Sequence, residues 1–125
     1  MNTLVLPATQ NTPHVHFDPA SGLFELRGRS TPEHPSEYYS QLNRWVDSYL
    51  QRPNDKTVVR LFFEYFNTSS SKCLLELMKR LATLQQGGRK ISFEWLHELE
   101  DDDMKEAGAD FRDLLKAPFE IIAQS

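Results

Sequence analysis

Cysteine is nearly absent from this chain. Cys73 stands alone among 125 residues, so no disulfide closes within it, and a reducing cytoplasm is the expected setting. Long apolar runs are missing as well. None approaches the roughly 20 residues that a membrane helix needs, and the first residues lack the basic-then-apolar pattern of a secretory signal, so no membrane insertion is expected. Basic charge is in deficit, with 14 Lys and Arg against 18 Asp and Glu, a net charge of −4. Such a chain offers no electropositive footprint to nucleic acid or anionic lipid. Glycine is scarce too, at five residues. Gly87–Gly88 follows a helical stretch instead of opening one, so no phosphate-cradling loop is present. Internal repeats and low-complexity segments are likewise lacking.

What the chain does have is a core. Leu, Ile, Val and Phe together make up 32 of the 125 residues, which argues against global disorder. The length suits one domain over residues 1–125, removing about two-thirds of its unfolded surface from water without a metal or disulfide staple. His14–Val15–His16–Phe17 and Leu23–Phe24–Glu25–Leu26–Arg27 flank Asp18–Pro19–Ala20–Ser21–Gly22, the pattern of an antiparallel hairpin. Leu4–Val5–Leu6 is either an edge segment or a loose terminus. Gly28, Pro32 and Pro35 stop the second strand.

From Ser36 the period changes to that of a helix. Leu42, Trp45, Val46, Tyr49 and Leu50 form one apolar stripe, ended by Pro53–Asn54–Asp55. Val58 to Phe66 is nearly continuous in apolar and aromatic residues, as expected of a strand covered on both faces. A second helix carries Leu74, Leu77, Met78, Leu81 and Leu84 and closes at Gly87–Gly88. Ile91 to Leu96 reads as a strand. A third helix follows on Met104, Ala107, Phe111, Leu114 and Leu115, and Pro118 to Ala123 is a last short strand. The order is hairpin, then α-β-α-β-α-β: an α/β fold with a mostly parallel mixed sheet and three main helices.

Chemistry concentrates at Phe66–Asn67–Thr68–Ser69–Ser70–Ser71–Lys72, where a parallel strand hands over to a helix. Ligands and partners of open α/β sheets are met at that edge. Thr68 or a neighbouring serine as a helix N-cap is one reading, but a helix needs one cap and four hydroxyls are present. The other is a phosphoacceptor, since free amides and the helix dipole favour a phosphate there. On the same edge lie Glu98, Glu100, Asp101, Asp102 and Asp103. They either complement the dipole of the third helix or form an acidic rim that helps a basic partner dock or a kinase hold Mg²⁺. Glu64 either pairs with Arg60, Lys72 or solvent, or acts as a base beside Thr68. His14 and His16 share a strand face with no third metal ligand in sight. His97 stands alone, and Cys73 reads as a small packing residue. Tyr38, Tyr39, Trp45 and Trp95 read as core or rim aromatics.

No nucleophile–base pattern marks an autonomous enzyme. The rival to a binding module is a small hydrolase or transferase with Thr68 or Ser69 as nucleophile, Glu64 as base and the acidic run holding a metal.

Three strings occur in order: Gly28–Arg29–Ser30–Thr31–Pro32–Glu33, Glu64–Tyr65–Phe66–Asn67–Thr68–Ser69–Ser70–Ser71–Lys72, and Trp95–Leu96–His97–Glu98–Leu99–Glu100–Asp101–Asp102–Asp103–Met104. With them the chain resembles, over essentially its whole length, the SiaC family of bacterial regulatory phosphoproteins, relatives of the STAS domain of anti-sigma factor antagonists. The resemblance implies a STAS-like fold and a switch by phosphorylation of one threonine, which maps onto Thr68. It implies a SiaB-type Ser/Thr kinase, a SiaA-type metal-dependent phosphatase, and a SiaD-type diguanylate cyclase. The unmodified form would bind and activate that cyclase, raising cyclic di-GMP and promoting biofilm formation and aggregation. A partner touching Thr68 would also meet Asn67, Ser69, Ser70, Ser71 and Lys72, with Glu64, Glu100, Asp101, Asp102 and Asp103 as an acidic rim. No cofactor or metal is implied for the chain itself; Mg²⁺ and ATP belong to the kinase reaction.

Overall fold

Apolar residues alternating with polar ones build the first strands. In the computed structural model, which describes residues 1–125, β1 (Leu4–Leu6), β2 (His14–Asp18) and β3 (Leu23–Ser30) pair antiparallel in that order. Leu4–Leu6 is therefore a true edge strand. Between β2 and β3 the Asp18 carboxylate accepts the Ala20 amide at 3.0 Å and the Ser21 hydroxyl at 2.9 Å, and these bonds hold its pKa below the usual value. Gly22 closes the turn at φ 77°, where a Cβ would collide with the Lys56 carbonyl.

The rest of the chain alternates. α1 (Pro35–Tyr49), β4 (Lys56–Phe66), α2 (Thr68–Ala82, continued by a short 3-10 turn), β5 (Lys90–Glu98), α3 (Asp102–Leu115) and β6 (Phe119–Gln124) follow in turn. The six strands lie in sequence order, and β3, β4, β5 and β6 are parallel. Right-handed crossovers that always step the same way put every helix on the same face of the sheet.

One expectation fails here. β4 is covered on one face, not two: Thr57, Val59, Leu61 and Phe63 are buried, whereas Val58, Arg60 and Phe62 keep partial exposure. On the open face Arg60 lies between Glu25 and Glu94, at 3.7 and 2.8 Å from their carboxylates, across the register of three strands. Phe62 made this face look buried in the sequence.

The core lies between sheet and helices, with Phe17, Phe24, Leu61, Phe93, Trp95, Leu42, Val46, Leu74 and Leu77 all at or below 1% exposure. Trp95 fills the space under α3. Its indole N–H donates to the Met104 carbonyl at 2.9 Å, and Gly108 leaves room for the ring. No helix is long and apolar enough to cross a membrane.

Candidate functional site

The carboxyl ends of β3, β4 and β5 and the N-termini of α1, α2 and α3 share one edge of the sheet. β4 runs into it through a bulge. Gly28 is opposite Phe63 but Arg29 is opposite Tyr65, so Glu64 is the extra residue. The bulge resets the alternation: Tyr65 is exposed, and Phe66 turns inward against Trp95 and Phe111. Glu64 sits 3.8 Å from Arg29, whose guanidinium also lies over the Tyr65 ring. Glu64 faces solvent, as one of its expected alternatives had it; its ionic neighbour is Arg29 and not Arg60 or Lys72, and no hydrogen bond couples it to Thr68 as a base.

Asn67 caps α2. Its backbone is extended, and its side-chain oxygen accepts the Ser70 amide at 2.9 Å. A cap supplied by Thr68 or a serine is thus corrected: Asn67 takes that role, and the Asn before the hydroxyl run was the signal for it. The remaining hydroxyls separate sharply. Ser70 is fully buried, its hydroxyl 3.0 Å from that of Ser30, which in turn meets the Tyr39 hydroxyl at 2.6 Å. Burial also pushes the Tyr39 phenol pKa far up, so it stays neutral in this brace. Ser71 donates back to the Thr68 carbonyl at 2.7 Å. Thr68 and Ser69 are exposed, as is Lys72 one turn along. Ser70 is therefore unavailable as a partner contact in the folded chain. Ser30 and Tyr39, which hold it, were not singled out in the sequence as parts of the site.

The electrostatics of this end single out α2. α1 has Glu37 in its first turn and α3 has Asp102 and Asp103, whereas the first turn of α2 has no acidic residue. Its N-terminal partial positive charge is uncompensated, and the Thr68 and Ser69 amides have no intrahelical acceptor. A dianion on the Thr68 hydroxyl would supply the missing charge. Alongside runs a cleft of about 320 Å³ lined by Pro35, Ser36, Ser69, Lys72, Cys73 and Glu76. Of these Pro35, Ser36 and Glu76 come together only through the packing of α1 on α2.

The acidic run lies farther across the edge. Asp101 caps α3, its carboxylate accepting the Met104 amide at 3.1 Å, which fits the expected service of this run to the third helix. Glu98, Glu100, Asp102 and Asp103 are exposed. The cavity beside them takes in Leu99, Gln124 and Ser125 but nothing from α2. No three His, Cys, Asp or Glu side chains converge as metal ligands would. His97 is buried, and its Nδ1–H donates to the Glu98 carbonyl at 2.7 Å. His14 and His16 stack side by side on the open sheet face. Burial, with Glu76 nearby, raises the pKa of the half-buried Cys73 thiol.

Comparison with known proteins gives the same chain a context. A family model described as SiaC family regulatory phosphoprotein matches residues 6–124. An uncharacterized protein of Pseudomonas aeruginosa (strain UCBPP-PA14) is 32% identical over 123 residues, 98% of each chain. The crystal structure of apo-SiaC from Pseudomonas aeruginosa superposes with a TM-score of 0.88 at 31% identity, covering 98% of this chain and 100% of that one. SiaC of the same organism, in a crystal structure of the diguanylate cyclase SiaD in complex with SiaC as its activator, gives 0.90 at 31% identity, covering 97% and 99%.

Proposed function

This chain belongs to the SiaC family of regulatory phosphoproteins, and we propose that it is a non-catalytic partner switch acting in the cytoplasm. Unmodified, it binds and activates a diguanylate cyclase of the SiaD type, raising cyclic di-GMP and promoting biofilm formation and aggregation. A SiaB-type kinase phosphorylates Thr68 and ends that interaction. A SiaA-type metal-dependent phosphatase restores it. The SiaD–SiaC complex among the similar structures supports the cyclase as partner.

One observation narrows the choice of residue: Thr68 and Ser69 are exposed at the start of the one main helix whose first turn has no carboxylate, while the equally hydroxylated Ser70 is walled in. Between the two, the family resemblance favours Thr68. Phosphorylation there adds about −1.5 to −2 charges and three acceptor oxygens without breaking the cap, which Asn67 supplies. A partner seated on unmodified Thr68, Ser69 and Lys72 would have to desolvate that dianion or oppose it with a like charge. Mispaired charges of this kind cost several kcal/mol, and each ~1.4 kcal/mol is a tenfold loss of affinity.

Calorimetric titration of the cyclase with three forms of the protein tests this reading. The unmodified protein and Thr68→Ala should bind alike, and the protein phosphorylated on Thr68 should bind at least about a hundredfold more weakly. Equal affinity of the phosphorylated and unmodified forms would refute it.

A further inference from the structure

β6 leaves the sheet with a free edge. Phe93 donates its amide to the Pro118 carbonyl at 2.9 Å and Leu99 donates to the Gln124 carbonyl at 3.0 Å. These two bonds fix the phase of the strand. Backbone groups of Glu120, Ile122 and Gln124 turn toward β5, and those of Phe119, Ile121 and Ala123 turn outward with no strand to meet them. The opposite edge, β1, is three residues long and is followed by Pro7. β6 has no proline and no lysine to blunt it.

α3 runs antiparallel above this edge. Trp95, the register partner of Ile121, is bonded to the Met104 carbonyl and lies against Gly108, so the middle of α3 sits at the level of Ile121. A groove of about 660 Å³ opens between helix and edge strand. Ile121, Ala123 and Ala109 give it an apolar floor, with Asp102 at one end, Arg112 at the other, and Lys105 and Glu106 on the helix between them.

We propose that this edge pairs with a second copy of the chain, β6 against β6, about a two-fold axis through Ile121. That one axis satisfies strand and helix together. Ile121 meets its own copy as a reciprocal hydrogen-bonded pair, and Phe119 falls opposite Ala123, large against small, with outward backbone groups on both. Glu120 falls opposite Ile122, so the strand carboxylates are not opposed. Above them the two α3 helices run antiparallel. Asp102 of each copy then reaches Arg112 of the other, and Ala109 permits close approach between the pairs. A groove that carries both signs along its length, Asp102 and Glu106 with Lys105 and Arg112, suits the same groove turned around better than a ligand of one charge sign.

Sedimentation equilibrium from about 1 μM to about 1 mM, the range of weak to moderate association, tests the proposal. The wild-type chain should form a concentration-dependent dimer. Arg112→Asp and Asp102→Arg should each weaken it by about tenfold or more, because each places like charges together twice. Mixed in equal amounts, the two variants should restore association, since every contact is again between opposite charges. Ala123→Pro removes an outward amide without touching a β5 bond, and should also weaken the dimer with an unchanged far-ultraviolet dichroism spectrum. A wild-type chain monomeric throughout that range would overturn the proposal. So would a dimer indifferent to Arg112→Asp or to Ala123→Pro, or a failure of the mixed variants to associate.

Discussion

Replacing Asn67 and Thr68 one at a time by alanine separates the residue that builds the α2 terminus from the one offered to partners. Asn67 accepts the Ser70 amide at 2.9 Å, and Ser70 is fully buried. Asn67→Ala leaves that amide with no acceptor and little access to water. N-cap losses run from about 0.5 to 2 kcal/mol, and an unsatisfied buried donor costs about 1–3 kcal/mol, so about 1.5 kcal/mol is expected. For a domain of this size that lowers the melting temperature by roughly 5 °C. Thr68→Ala removes an exposed hydroxyl that caps nothing and replaces a β-branched residue by the best helix former, so its effect stays within about 0.5 kcal/mol. Urea unfolding followed by the fluorescence of Trp45 and the buried Trp95 reads both variants. If Thr68→Ala costs as much as Asn67→Ala, the hydroxyl is structural. A phosphate on it would then perturb the fold, and the separation of switch from scaffold fails.

Gly108→Ala should destabilise the protein although alanine favours a helix by about 1 kcal/mol. The added Cβ would lie 2.5–2.9 Å from three atoms of the Trp95 ring, which its own hydrogen bond holds in place, and overpacking of about 1–3 kcal/mol set against that gain leaves a net loss of about 1 kcal/mol; thermal unfolding checks it. Cys73, its thiol pKa raised by burial and Glu76, should react with iodoacetamide more slowly than free cysteine at neutral pH. Its rate should climb only at higher pH, because less thiolate is present at any given pH; a rate equal to or above that of free cysteine would contradict the packing described.

Local patterns carried much of the fold. The hairpin around Asp18–Gly22, the three amphipathic helices and the alternation of helix with strand are each written in consecutive residues, and the structure follows them. β4 shows where that stops. Its open face carries Val58 and Phe62, so a strand covered once has the composition of one covered twice. Coverage depends on strand order, which no single segment contains. The acidic run shows the same limit, since Asp101 differs from its neighbours only in being placed to accept the Met104 amide.

By itself the sequence determined the α/β class, the absence of disulfides, the net negative charge and a cluster of hydroxyls at the junction from Phe66 to Lys72. Only tertiary structure decided which hydroxyls face outward, Thr68 and Ser69 but not Ser70. Ser70 and Thr68 are chemically similar and two residues apart. The turn of the helix points Ser70 at Ser30 and Tyr39, contributed by elements 40 and 31 residues earlier in the chain, and leaves Thr68 facing water. Accessibility is a property of what packs against a side chain, and those neighbours are brought together only when the chain folds.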